Sequence, residues 1–140
     1  MLIDFHTYVG TSMLGSSSSI EDLLMNMEHN KIDASVVCPV KTVDPYFEKQ
    51  NIYVSELQKK YEGKIYGFAR IDPNLERDSE KILRDAVESL GLKGLILHPW
   101  EETFAINDKI VFPFMEICRE YQLPILIETG YPWLSHCFQV

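Results

Sequence analysis

The sequence predicts an α/β fold made of parallel β-α repeats, amounting to a partial TIM (β/α)8 barrel with about five strands and four helices. Three observations predict it. Short apolar runs recur at residues 2–9, 34–40, 65–72, 92–99 and 124–129. They lack the strict apolar–polar alternation of a half-solvated sheet, as strands buried on both faces do. Each run is followed by an apolar stripe at helical spacing, and strict alternation of strand and helix means a parallel sheet with right-handed crossovers. Polar residues also collect where the runs stop: His6, Tyr8 and Gly10; Arg70, Asp72 and Pro73; His98 and Pro99; Glu128, Thr129 and Gly130. In α/β folds the C-terminal rim of the strands is where the chemistry sits. A full barrel takes roughly 250 residues, so 140 residues hold a little more than half of one.

The first strand, Leu2 to Val9, places Asp4, His6 and Tyr8 on one face by its period of two. A Gly/Ser-rich loop, Thr11 to Ser19, follows. Ser18 and Glu21 fit a capping box for a helix carrying Ile20, Leu23, Leu24 and Met27. After the second strand, Asp44-Pro45 reads as an N-cap with proline at the first helical position. That helix carries Phe47, Val54, Leu57 and Tyr61. The third strand, Ile65 to Asp72, leads to a helix over 76–90 with Ile82, Leu83, Ala86, Val87 and Leu90 inward and Gly91 as its stop. Leu92 to Pro99 is the fourth strand, ended by a proline that lacks an N–H. A loop from Trp100 to Asp108 precedes a helix over 113–121, with Phe114, Ile117, Cys118 and Tyr121 as its stripe. Pro124 to Thr129 is the fifth strand, and the last ten residues read as the start of another helix.

One α/β domain spanning 1–140 is expected, with chain enough for a real core. A formal charge of −8 argues against nucleic acid or an anionic membrane as partner. No apolar run approaches the ~20 residues of a membrane span, and strand-like sequence at the start leaves no signal peptide. Cys38, Cys118 and Cys137 are odd in number and form no CxxC pair, so buried thiols in a reducing cytoplasm are expected. A flavodoxin-like sheet shares the β-α order and stands second, because Gly10 to Ser19 lacks the GxGxxG phosphate spacing.

Four segments carry a resemblance: Ile3-Asp4-Phe5-His6-Thr7-Tyr8-Val9-Gly10, Gly67-Phe68-Ala69-Arg70-Ile71-Asp72-Pro73, Gly91-Leu92-Lys93-Gly94-Leu95-Ile96-Leu97-His98-Pro99 and Leu123-Pro124-Ile125-Leu126-Ile127-Glu128-Thr129-Gly130. In this order the chain resembles the N-terminal half of the amidohydrolase-related (amidohydrolase 2) metal-dependent TIM-barrel hydrolases and decarboxylases. The resemblance implies a divalent metal, zinc or manganese, with His6 and Glu128 as ligands. Tyr8 stands where that family has a second histidine, and Glu128 stands where it has the histidine of His-Thr-Gly. A carboxylate suits zinc or manganese. A phenol suits them poorly, since it must first lose a proton of pKa about 10. The resemblance also implies a small carboxylate or amide-like substrate. The family's remaining ligands lie past residue 140, so a homo-oligomer or a missing C-terminal half is the expected partner.

Each candidate has a plainer alternative. Glu128 and His98 are the catalytic candidates. Glu128, flanked by apolar residues, binds metal, pairs with Arg70 or sits protonated as a general acid or base. His98 is otherwise a rim residue bonded to a neighbouring loop. Arg70, Asp72 and Trp100 are the substrate-binding candidates, with a rim ion pair between Arg70 and Asp72 as the alternative. Trp100 and Trp133 line a pocket or cover the core. Asp4 supports His6 or holds the strand's start, His29 faces solvent, and His136 beside Cys137 is a weak nucleophile pair. Two function classes result: a metal-dependent hydrolase or decarboxylase, and a non-catalytic homologue or subunit acting through oligomerisation.

Overall fold

A computed structural model describes residues 1–130. The strands are β1 (Ile3–Thr11), β2 (Ser17–Ser18), β3 (Ala34–Pro39), β4 (Ile65–Gly67), β5 (Ala69–Arg70), β6 (Leu95–Leu97) and β7 (Ile125–Ile127). The helices are α1 (Ile20–Asn30), α2 (Glu48–Lys60), α3 (Arg77–Glu88) and α4 (Phe112–Glu120). Two sheets form, ordered β2-β1-β3-β4 and β5-β6-β7, and every pairing except β1 with β2 is parallel. The expected third strand is therefore two pieces. Phe68 divides them: its amide donates to Val37 O of the first sheet at 3.0 Å, and the next amide, Ala69, donates to Gly94 O beside the second at 2.8 Å. Among the described residues the strands do not close into a ring.

Alternating side chains split the core in two. On one face Val37, Ala69, Leu95 and Leu97 pack with the buried stripes Leu23/Met27, Val54/Leu57, Leu83/Ala86 and Phe114/Ile117 of the four helices. On the other, Val36, Cys38, Phe68 and Ile96 form a smaller cluster against Tyr8 and Leu126. Cys38 and Cys118 are free and buried, as expected. Burial pushes their thiols up, to about 12 and about 11.

Several local expectations are corrected. β1 carries one extra residue between Asp4 and Thr7, so strict alternation fails and Phe5 meets the edge of the Phe68 ring at 5.7 Å. Ser18 belongs to β2, paired with Gly10, so the cap of α1 moves to Ser19. The Ser19 hydroxyl accepts from the Asp22 amide at 3.0 Å and donates to the Asp22 carboxylate at 2.6 Å, an N-cap one residue later than expected. Asp44 caps no helix; its carboxylate accepts from the Tyr46 amide at 3.0 Å in a tight turn. α2 starts only after Phe47, which holds φ +59° to bury its ring completely. The expected helix over 76–90 begins with a 3-10 turn, Pro73–Leu75, capped by Asp72. Trp133, His136, Cys137 and the expected terminal helix lie outside the described residues.

Candidate functional site

The C-terminal ends of β1, β6 and β7 bring four of the expected residues into contact. The Tyr8 hydroxyl lies 2.7 Å from His6 Nε2 and 2.7 Å from His98 Nε2. His6 Nε2 also lies 3.1 Å from Glu128 Oε2. The chain delivers them for local reasons. The β1 bulge keeps His6 and Tyr8 on the rim, where their rings meet edge to face at 5.0 Å. Pro99 fixes His98 at the end of β6. The Glu128 amide continues the sheet to Leu97 O at 2.9 Å, and its Oε1 accepts from the Gly130 amide at 2.6 Å.

The proton inventory follows from burial. His98 is buried, and burial, reinforced by Arg70, His6 and Lys41, holds its pKa down to about 3. It is neutral at physiological pH, with Nε2 bonded to the Tyr8 hydroxyl and Nδ1 facing Glu101 at 3.8 Å. Burial also raises the Tyr8 phenol well above its ordinary value. Tyr8 thus keeps its proton and bridges the two imidazoles, His6 and His98. Its oxygen and the Glu128 carboxylate both face His6 Nε2. Of the alternatives the sequence left for Glu128, pairing with Arg70 is not what the structure shows: its side chain is 25% exposed and its partner is His6.

Arg70 is the largest fully buried side chain and is bound to neither Asp72 nor Glu128. Asn51 positions it: the Arg70 amide donates to Asn51 Oδ1 at 2.9 Å and its carbonyl accepts from Asn51 Nδ2 at 3.0 Å. Arg70 Nη1 donates to Pro39 O at 3.1 Å, and Nη2 reaches Glu102 Oε1 at 2.8 Å and Glu101 Oε2. Lys41 Nζ joins the same Glu102 oxygen at 2.9 Å. Both cations lie over the Phe47 ring, at 4.8 Å for Arg70 and 5.2 Å for Lys41. Burial pushes the Glu102 carboxyl up, and Arg70 and Lys41 pull it back. Arg70 Nε and Glu102 Oε2 are buried without a hydrogen-bond partner among the described residues. Asp72 stands apart, its carboxylate accepting from the Asn74 amide and side chain at 3.0 and 2.9 Å.

A cleft of about 500 Å³ opens over this rim, lined by Tyr8, Arg70, His98, Trp100, Glu101 and Glu128 among others. Lys41, Glu101 and Glu102 are the side chains of this rim that sequence reasoning missed. A signal existed for each. Lys41 closes the run Pro39-Val40-Lys41 past β3, and the two glutamates follow His98-Pro99-Trp100 past β6.

The donor set at this rim falls short of a divalent metal site. His6 and Glu128 touch each other, and Tyr8, with its proton retained, is no anionic oxygen donor. Among the described residues no group of three or more His, Cys, Asp or Glu side chains is arranged to hold an ion. Structural and catalytic zinc sites take about three or four protein ligands, so these residues do not make a complete centre.

No protein-family model matches the chain, and no curated protein matches it. Solved structures do. A candidate amidohydrolase from Staphylococcus aureus superposes with a TM-score of 0.76 at 13% identity, over 96% of this chain and 49% of that one. A 2,6-dihydroxybenzoate decarboxylase from Rhizobium gives 0.70 at 13%, over 97% and 52%. A 5-carboxyvanillate decarboxylase from Novosphingobium aromaticivorans, with bound manganese and 3-methoxy-4-hydroxy-5-nitrobenzoic acid, gives 0.71 at 12%, over 91% and 50%. At such identities the likeness is one of fold. The chain has the α/β architecture of amidohydrolase-type structures and spans about half the length of those it matches.

Proposed function

We propose that residues 1–140 form one α/β domain that carries one wall of an amidohydrolase-type active site, hydrolysing or decarboxylating a small carboxylate or amide-like substrate. The observation that carries this reading is the His6–Tyr8–His98–Glu128 cluster at the C-terminal rim of β1, β6 and β7, beneath a cleft of substrate size. The solved structures of like fold support it: two are decarboxylases and one holds manganese. In this reading Glu128 is the acid–base group facing the cleft. His6 holds it in place. His98, neutral, is hydrogen-bonded to the Tyr8 hydroxyl and fixes its position. Arg70 and Trp100 contact substrate.

His6 and Glu128 are the two candidate metal donors, and the rest of any centre comes from outside the described residues. No step is routed through that ion. The test is turnover of small aromatic carboxylates and amides by the purified chain, with manganese or zinc supplied. Loss of a general acid–base group costs about 10²–10⁴-fold; Glu128→Gln should lower the rate by that order while leaving the fold intact. Full activity in that variant sinks the assignment of Glu128, and no turnover by the unaltered chain across the panel sinks the catalytic reading. The two-donor count favours a second reading, a non-catalytic homologue or subunit acting through oligomerisation. It requires a stable assembly in native mass spectrometry with no turnover.

A further inference from the structure

We propose that Arg70 is the carboxylate-binding group of the cleft, and that Glu101 occupies its place until a small carboxylate with an apolar body displaces it. This rests on the reading of the cleft as a substrate site and narrows its substrate class to carboxylates.

Four charges meet here, two of each sign: Arg70 and Lys41 against Glu101 and Glu102. Their exposures differ in a way that decides which one can leave. The side chains of Arg70, Glu102 and Lys41 are 1%, 0% and 19% exposed, whereas Glu101 is 36% exposed. Glu102 is held by both cations and has no water to move into. Glu101 touches Arg70 Nη2 and otherwise only approaches His98 Nδ1 at 3.8 Å. Swinging Glu101 outward takes a carboxylate that is already 36% exposed into water, and the cost is the charge it leaves uncompensated on buried Arg70, which an incoming carboxylate restores. Two cations then face one carboxylate. The uncompensated positive charge is largely desolvated, where it attracts an anion strongly.

The geometry of the vacated place suits a carboxylate. The side-on edge of a guanidinium consists of Nε and Nη2. Glu101 uses Nη2 alone, and Arg70 Nε is left without a partner among the described residues. A free ligand is not tethered to the 98–102 loop and takes Nη2 in the place Glu101 leaves, beside the covered Nε. Beyond this edge the cleft is walled by Trp100, Met13, Leu14 and Val40. Met13 and Leu14 are exposed apolar side chains at its mouth. The ligand is therefore a compact apolar or aromatic body ending in one carboxylate.

The experiment measures benzoate and benzamide binding to the full chain by calorimetry, for the unaltered protein and for Glu101→Gln and Glu101→Ala. Benzamide has the same body without the charge. Both variants should bind benzoate about tenfold more tightly than the unaltered chain, a change of about 1.4 kcal/mol, while benzamide stays weak throughout. Saturating benzoate should also shift the Glu101 side-chain carboxyl resonance in the unaltered chain. Equal affinity for benzoate and benzamide overturns the proposal. So does benzoate binding that is unchanged or weaker in both variants with melting temperatures preserved. Benzoate bound as described by a chain that turns nothing over keeps this proposal and removes the catalytic one. Turnover of amides with no preference for benzoate does the reverse.

Discussion

Replacing Asn51 with alanine tests how the site's one buried guanidinium is held. Asn51 is 1% exposed and sits on α2, yet its amide clamps the backbone of Arg70 from both sides, at 2.9 and 3.0 Å. The clamp acts as a strand neighbour would at a place where β5 is only two residues long. Asn51→Ala leaves a buried N–H and a buried C=O without these partners. Each such loss costs about 1–3 kcal/mol, so roughly 3 kcal/mol is expected for the pair. Domains of this kind have only about 5–15 kcal/mol in all. The control is Asn30→Ala, which removes a comparable amide bond, Nδ2 to Asn26 O at 2.8 Å, at an exposed position. Water replaces that bond, and a change under about 0.5 kcal/mol is expected. Urea unfolding followed by far-ultraviolet circular dichroism gives both numbers from midpoints at constant slope. A loss below about 1 kcal/mol for Asn51→Ala, or equal losses at the two sites, refutes the argument that burial makes this clamp matter.

Three further outcomes follow from the geometry. His98 has a folded-state pKa of about 3 against 6.5 for the free side chain, so between these values the unfolded chain binds a proton that the folded chain does not. Stability should therefore fall as pH drops below 6.5, by about 1.4 kcal/mol per unit at most; His98→Gln should flatten the pH dependence measured by urea titrations at pH 7, 5.5 and 4.5, and an unchanged slope would count against a buried neutral imidazole. A Cβ on Gly94 would stand 2.5–2.7 Å from three atoms of the Phe68 ring, so Gly94→Ala should lower stability by about 1–3 kcal/mol, and Gly94→Ala with Phe68→Leu should recover part of it in a thermal melt. Tyr8→Phe removes the hydroxyl bonded to His98 Nε2 at 2.7 Å and should cost about 1–3 kcal/mol, read by the same denaturation; a stability equal to that of the unaltered chain would mean that the phenol bond is already replaced by water.

The layout of strands and helices was legible because apolar runs and helical stripes are repetitive signals. The stripe of α3 shows it: Ile82, Leu83 and Ala86 are buried as their spacing requires. The rim logic also found His6, Tyr8, His98 and Glu128 together, since strand ends in a parallel sheet converge whatever the loops do. What failed depends on contacts between residues far apart in the chain. Arg70 and Asp72 share a strand by number, but the strand has ended by Asp72, which turns back to cap the next turn, while Arg70 meets carboxylates 31 and 32 residues away. The start of α2 was misplaced for a similar reason. Local chemistry favoured Asp44-Pro45, and the burial of Phe47 under Lys41 and Arg70 overrode it.

The division at Phe68 has a mechanical consequence. Tyr8 belongs to one sheet and His98 to the other, and the residue between the two sheets is a single one whose neighbouring amides hold opposite sides. The Tyr8–His98 and His6–Glu128 bonds are thus rivets across a seam, set at the rim while Phe68 and Gly94 form its hinge line. Sliding one sheet against the other would stretch both rivets and shear both core clusters, since each cluster draws residues from the two sheets. The rim cluster of His6, Tyr8, His98 and Glu128 is therefore the one that reports strain between the sheets. Exchange of the Phe68 and Ala69 amides with deuterated solvent would register any ligand that tightens or loosens the join.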